Sequence, residues 1–196
     1  TFDHDGALAS AFENFLARPA QIDMAVAIAE TVEQGGALVV EAGTGVGKTF
    51  AYLVPALLSG ERVLLSTATK NLQDQLFFRD LPRLSEALGV PTNIALLKGR
   101  ASYLCRHRLV QARESATLPD RMAVRALARI EGWAQSTVSG DMSELDGLDE
   151  RSEVIPLVTS TRENCLGGEC PEFVACHLMR ARREAMAADV VVVNHH

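Results

Sequence analysis

No apolar run in this chain approaches the ~20 residues a helix needs to cross a bilayer, so no membrane span is expected. The opening residues TFDHDGAL hold neither a basic n-region nor an apolar h-region. No secretory signal is therefore expected, and Thr1 reads as a trimmed start. There is no internal repeat, and no cysteine precedes Cys105. Basic charge is in deficit: 19 Lys and Arg against 25 Asp and Glu leave a net charge of −6, which argues against indiscriminate nucleic-acid binding. What is present is ample apolar content, 47% of 196 residues, enough for one large domain or two small ones and inconsistent with wholesale disorder.

The charge is unevenly spread. Between Glu131 and Glu153 seven acids meet a single base, Arg151, so this stretch holds the whole negative excess. Elsewhere Lys98, Arg100, Arg106, Arg108 and Arg113 follow one another with no acid among them, and Arg180, Arg182 and Arg183 form a second cluster. Such runs suit a phosphate backbone, and equally suit solvated helix faces.

The octapeptide Ala42-Gly43-Thr44-Gly45-Val46-Gly47-Lys48-Thr49 follows the apolar run Ala37 to Val40 and leads into a helical pattern. Strand, glycine-rich turn and helix N-terminus are the layout of a Walker A phosphate loop. Its glycines permit positive φ and let backbone N–H groups converge on phosphate oxygens. Lys48 is expected to reach the β- and γ-phosphates, and the Thr49 hydroxyl to ligate Mg²⁺. The strict motif has glycine where Ala42 stands. A glycine-rich turn with an incidental lysine is the plainer alternative, and the strand before it and the Lys-Thr at its end weigh against that. The motif specifies nucleotide binding but does not separate a kinase, a transporter ATPase and a helicase.

The pattern predicts a helix over Gln21 to Gln34 stopped by Gly35-Gly36, a buried strand over Ala37 to Glu41, and a helix over Thr49 to Leu58 kinked or shortened by Pro55. A second strand is expected at Arg62 to Ser66, a helix over Leu72 to Leu88 with a break near Pro82, and a third strand at Asn93 to Leu97. This alternation predicts an α/β fold: a P-loop (RecA-like) parallel sheet with helices on both faces. The rhythm then changes. Residues 98–187 are helical and loop-rich, with one helix over Pro119 to Gln135 offering Met122, Leu127, Ile130 and Trp133 for burial, then an exposed acidic loop over Ser136 to Glu153. Asp189 to Asn194 returns as a strand. The expected organisation is residues 1–97 as the first part of one α/β domain, 98–187 as an insert, and 188–196 as a returning strand.

All four cysteines, Cys105, Cys165, Cys170 and Cys176, lie in the insert. With no export signal, disulfides are not expected. Four thiolates suit Zn²⁺ or an iron–sulfur cluster; zinc ribbons usually pair their cysteines two residues apart, whereas the longer spacers here suit the wider cluster.

In this order the motifs resemble those of the XPD-like iron–sulfur helicases of superfamily 2, in particular the DinG/YoaA branch, and the resemblance covers nearly the whole chain. RPAQIDMA (Arg18 to Ala25) is similar to the family's Q-type motif, and VVEAGTGVGKT to its Walker A sequence, with Val46 where threonine is usual. STATKNLQDQL (Ser66 to Leu76) is similar to motif Ia, LKGRASYLC (Leu97 to Cys105) to the lead-in to the first cluster cysteine, PLVTSTRENCLGGECPEFVAC (Pro156 to Cys176) to the segment with the other three, and ADVVVVNHH (Ala188 to His196) to the strand before the DEAH box.

The resemblance implies an ATP-dependent 5′→3′ DNA helicase acting on single-stranded or forked DNA in repair or replication, in the bacterial cytoplasm at the nucleoid, with ATP, Mg²⁺ and a 4Fe-4S cluster as cofactors. It implies a replication or repair protein as partner. Arg18, Gln21, Gly43, Thr44, Gly45, Val46, Gly47, Lys48 and Thr49 are expected to bind nucleotide, Gln21 by pairing with the N6 and N7 edge of adenine. Cys105, Cys165, Cys170 and Cys176 would hold the cluster, and Thr67, Thr69, Gln73, Lys98, Arg100 and Tyr103 would touch DNA. Core packing is the alternative for Tyr103. His195-His196, pointing to opposite faces of a strand, are not expected to share an ion.

No Asp-Glu-x-His occurs; Asp149-Glu150 is followed by Arg151-Ser152. These residues alone are therefore expected to bind nucleotide weakly without turning it over, and to expose apolar sheet edges. A non-catalytic module holding a cluster (or zinc) and single-stranded nucleic acid is the alternative reading. A P-loop kinase with a zinc insert fits less well, because neither STATKNLQDQL nor the NHH strand belongs to it.

Overall fold

The computed structural model describes residues 1–196 apart from 3–5, 14, 116, 119, 150 and 196. The chain divides into two compact units, one of Thr1–Leu96 with Ala188–His196, the other of Leu97–Ala187.

The first unit is α/β with a small parallel sheet. Helix α1 (Ala7–Ala11) precedes α2 (Pro19–Gln34), which starts on a proline, whose missing N–H costs nothing in a first turn, and stops at Gly35 with φ 75°. Helix α3 (Lys48–Leu58) leaves the glycine-rich turn and runs on through Pro55, which is buried with Leu53, Val54 and Leu57. Strand β1 (Val63–Thr67) leads to α4 (Lys70–Gln75), a π-helical turn at Leu76–Asp80, and α5 (Leu81–Leu88), closed by left-handed Gly89. Strands β2 (Ile94–Leu97) and β3 (Val190–Asn194) complete a sheet ordered β1-β3-β2. β1 and β3 are parallel, from Val63 opposite Val190 to Thr67 opposite Asn194. The Asn93 carbonyl accepts from the N–H groups of Asp189 and Val190, so β2 and β3 set out together. Leu8, Leu53, Leu76, Leu81, Leu84 and Val192 form the centre of the core, with Phe12, Phe15 and Phe50 packed around it.

Three expectations are corrected here. Residues 37–41 form no strand: both sides of β3 are occupied by β1 and β2, no described strand pairs with 37–41, and Val39 is 96% exposed. Among the described residues no helix covers the outward face of edge strand β1 at Leu64, which is 66% exposed where helices on both faces were expected. Pro82 does not break its helix; it sits in the first turn of α5, where its missing N–H is tolerated, and the irregularity lies just before it in the π turn.

The second unit is helical. A 3₁₀ turn (Arg100–Ser102) precedes α6 (Arg106–Ser115), then α7 (Arg121–Ala134), a one-turn α8 (Ile155–Val158) and α9 (His177–Ala187). Asp120 caps α7 by accepting from the Ala123 N–H at 2.7 Å. Leu127 and Ile130 are buried and Trp133 packs against them, as the helical period predicts, whereas Met122 is 67% exposed. It lies in the first turn, off the stripe that meets the core. The acidic stretch is not the exposed loop expected of it: Asp141, Met142 and Leu145 are buried. The two apolar side chains join the core around Leu127 and Ile130, and the carboxylate finds a cation. The expected helix start at Pro119 and the acid Glu150 lie outside the described residues.

Candidate functional sites: the glycine-rich loop and the four-cysteine cavity

The glycine-rich loop turns into α3 at Gly47, which takes φ 87° and ψ 31°. Gly45 also has positive φ, 77°. These left-handed residues curl the loop, and the Lys48 ammonium fills the curl, donating to the carbonyl oxygens of Ala42 at 2.9 Å and Gly43 at 2.6 Å. Gly43, Thr44 and Gly45 are exposed, Val46 and Thr49 half-buried. The loop is held from behind by α2. Gln21 is only 3% exposed, and its Nε2 donates to the Gly47 carbonyl at 2.9 Å. A Cβ on Gly47 would collide with that amide, and a Cβ on Gly45 would touch the Arg18 guanidinium at 3.9 Å. The Gln21 amide thus spends its donor on the loop, while its Oε1 is buried without a partner. The Nε2 half of the amide expected to pair with adenine is thus engaged by the Gly47 carbonyl in this structure.

The expected DNA contacts in this unit are used internally. Thr67 is 4% exposed and its hydroxyl points to the carbonyls of Thr69 and Val193. Gln73, 1% exposed, donates to the Val192 carbonyl across the sheet. Thr69 is exposed and caps α4, accepting from the Leu72 N–H at 3.2 Å. His195 sits beside β1, its N–H on the Thr67 carbonyl and its Nδ1 3.0 Å from the Ser66 hydroxyl; His196 lies outside the described residues.

In the second unit all four cysteines line one cavity of about 90 Å³, together with Arg100, Arg106, Phe173 and Arg182. The thiols are free and each is half-buried. Burial pushes the Cys105 thiol above its ordinary range, and the nearby Cys170, Cys176 and Cys165 push it the same way. Among the described residues no three His, Cys, Asp or Glu side chains converge tightly enough for one metal ion. Four thiols lining one cavity are a donor set that suits an iron–sulfur cluster or a zinc ion.

Lys98 and Tyr103 are not on the surface. Lys98 reaches Asp141 at 2.7 Å and the Ser143 hydroxyl at 3.0 Å, with both members of the ion pair about nine-tenths buried. Tyr103 is 5% exposed, packs against Leu178 and Ala181, and its hydroxyl accepts from the Lys98 N–H. Both are corrected from DNA contacts to core groups: an ammonium that close to a buried carboxylate has no charge to spare for a phosphate. Arg100, on the cavity rim, keeps a half-exposed guanidinium.

Sequence reasoning missed His177. It is 4% exposed, accepts from Arg106 Nε at its Nε2, and its Nδ1 then donates to the Val138 carbonyl. Burial, then the Arg106 charge, holds its pKa below the ordinary value, so it stays neutral and steadies Arg106 at the cavity. The only signal was its position directly after Cys176.

The chain is 47% identical over its whole length to the ATP-dependent DNA helicase YoaA of Haemophilus influenzae and 50% identical to that of Escherichia coli. It is 42% identical, over 91% of its length, to the ATP-dependent helicase DinG of Mycobacterium tuberculosis. It spans 30%, 31% and 30% of these relatives' lengths. Residues 20–124 match the DEAD/DEAH box helicase model, and with more than half of its length so matched the chain belongs to that family.

Proposed function

We propose that the chain is the nucleotide-binding first part of an ATP-dependent DNA helicase that moves 5′→3′ on single-stranded or forked DNA in repair or replication. Residues 1–97 and 188–196 form the first portion of its RecA-like motor domain, and residues 98–187 an iron–sulfur insert. Lys48 neutralises the β- and γ-phosphates, exchanging its two loop carbonyls for phosphate oxygens, and Thr49 ligates Mg²⁺. Gly43, Thr44, Gly45, Val46 and Gly47 present backbone N–H groups, Arg18 braces the loop, and Gln21 offers its unpartnered Oε1 to the adenine amino group. Cys105, Cys165, Cys170 and Cys176 hold a 4Fe-4S cluster, which supplies a rigid covalent anchor for the insert and no step of ATP hydrolysis.

The observation that carries this reading is one chain holding a lysine-filled phosphate loop and four free thiols around one cavity. Relatives named as ATP-dependent DNA helicases, alike over the whole of this chain, support it. These residues contain no Asp-Glu-x-His, so alone they bind nucleotide without turning it over. Their setting is the cytoplasm of a bacterium; no helix among the described residues is long and apolar enough to cross a membrane. DNA contacts fall to Thr69, which is exposed, and Arg100, which is half-exposed, rather than to Thr67, Gln73, Lys98 or Tyr103. The test is strand displacement by the full-length protein on duplexes with a 5′ or a 3′ tail. ATP-dependent unwinding of the 5′-tailed duplex is expected; unwinding from the 3′ tail alone, or none, overturns the reading.

A further inference from the structure

We propose that His177 is a positioning residue for the cluster ligands: through Arg106 it ties the segment of Cys105 to the segment of Cys165, Cys170 and Cys176. The inference rests on the cysteine site proposed above and adds to it two side chains outside the ligand set.

The ligand set poses a closure problem. Cys165, Cys170 and Cys176 come from one short stretch, whereas Cys105 stands far earlier in the chain. Joining distant segments costs chain entropy, and the cost grows with the length of the closed loop. Contacts within the fold that hold the two segments together leave less of that cost to the metal.

His177 and Arg106 supply such a contact. His177 opens α9 directly after Cys176, and Arg106 opens α6 directly after Cys105. Arg106 Nε donates to His177 Nε2 at 3.3 Å, so one hydrogen bond joins the two cysteine-bearing segments across 71 residues. A guanidinium only donates, so the imidazole accepts at Nε2 and carries its proton on Nδ1. That N–H donates to the Val138 carbonyl at 3.3 Å. Both ring nitrogens are used, and the ring is 4% exposed.

The backbone around Gly140 makes the same link by a second route. Gly140 takes φ 69° and lies so close to His177 that a Cβ there would collide with the imidazole. Its carbonyl accepts from the Leu104 N–H at 2.8 Å, while the Cys105 N–H donates to the Val158 carbonyl at 2.8 Å. The backbone that carries Cys105 is thus held between Gly140 and Val158, and Gly140 rests on His177. Arg106 also lines the thiol cavity. Its guanidinium is always charged and opposes the negative charge of metal-bound thiolates. A group that holds a ligand-bearing segment without touching the metal is an outer-shell partner.

The test compares His177→Phe, His177→Gln and Arg106→Met in the full-length protein purified without oxygen. Phenylalanine keeps a ring and loses the acceptor; glutamine keeps an acceptor for Arg106; methionine keeps chain length and loses donor and charge. Bleaching of the band near ~400 nm by a ferrous chelator gives the rate of iron loss, and reductive titration gives the potential. Iron loss is expected to be about 10- to 100-fold faster in His177→Phe and in Arg106→Met. The double variant is expected to be no faster than either single one, and His177→Gln to recover most of the retention. Arg106→Met is expected to lower the reduction potential, because losing a cation disfavours the added electron. Arg106 is half-buried, so Arg106→Met carries the test should His177→Phe fail to fold. Iron loss at the wild-type rate in Arg106→Met, additive effects in the double variant, an unshifted potential in Arg106→Met, or His177→Gln as labile as His177→Phe overturns the proposal. A wild-type protein without iron overturns the cluster itself, a result distinct from an iron-loaded wild type that loses iron no more slowly than its variants.

Discussion

Gln21 and Gly47, twenty-six residues apart, are joined by one hydrogen bond: the glutamine Nε2 donates to the glycine carbonyl at 2.9 Å, behind a phosphate loop whose backbone turns left-handed at that glycine. Helix α2 thereby sets the shape of the loop before any ligand arrives. Gln21→Ala leaves the Gly47 carbonyl without its donor at a cost of about 1–3 kcal/mol. ATP affinity in the full-length protein is expected to fall by about tenfold, with discrimination of ATP over GTP weakened as well. Gly47→Ala is expected to do more, because it strains φ and drives a methyl group into the Gln21 amide. Titration with fluorescent adenine and guanine nucleotides checks both; wild-type affinity in either variant contradicts the clasp.

The pair Lys98 and Asp141 allows a test by sign of charge. Removing either member leaves a buried, uncompensated charge, at a cost of about 3–5 kcal/mol. Lys98→Ala and Asp141→Ala are both expected to lower the unfolding midpoint of the second unit, read by urea titration. A surface lysine gripping DNA would behave otherwise: Lys98→Ala would weaken DNA binding without loss of stability, and Asp141→Ala would strengthen it.

Gln73 and Thr67 make a parallel case in the first unit. Gln73→Ala removes a buried donor from the Val192 carbonyl on the central strand and is expected to destabilise the first unit by about 1–3 kcal/mol. Single-strand DNA affinity, measured by fluorescence anisotropy below the unfolding range, is expected to stay at the wild-type level. A stable variant with lost DNA affinity contradicts the buried assignment.

These residues also show what the sequence could convey. The glycine-rich turn before α3 was legible because it is a local object, with Gly45 and Gly47 taking positive φ within eight residues. β1, β2, β3 and the helices between them were legible from apolar period and glycine stops. Residues 37–41 were misread because an apolar run records the wish to be buried, while a strand also needs a partner, and pairing is not written in the run itself. Lys98, Tyr103, Thr67 and Gln73 were expected at DNA because the motifs that hold them resemble the family's, with core packing the alternative for Tyr103. Their burial depends on partners far along the chain: Asp141 for Lys98, Val193 for Thr67, Val192 for Gln73. The four cysteines were grouped by their number, their spacing and the resemblance, which already put Cys105 with the other three, and all four line one cavity.

The cavity predicts a chromophore. Full-length protein purified without oxygen is expected to be brown and to absorb near ~400 nm. Cys170→Ser is expected to remove that band and the protein's iron. A colourless protein holding one zinc contradicts the cluster.

The central claim, that the loop at Lys48 drives a DNA motor, is tested most directly by DNA-stimulated ATP hydrolysis in the full-length protein and its Lys48→Ala variant. The account predicts hydrolysis that rises with single-stranded DNA in the wild type and falls to background in the variant, with the unfolding midpoint unchanged. Equal turnover in the two proteins would contradict it.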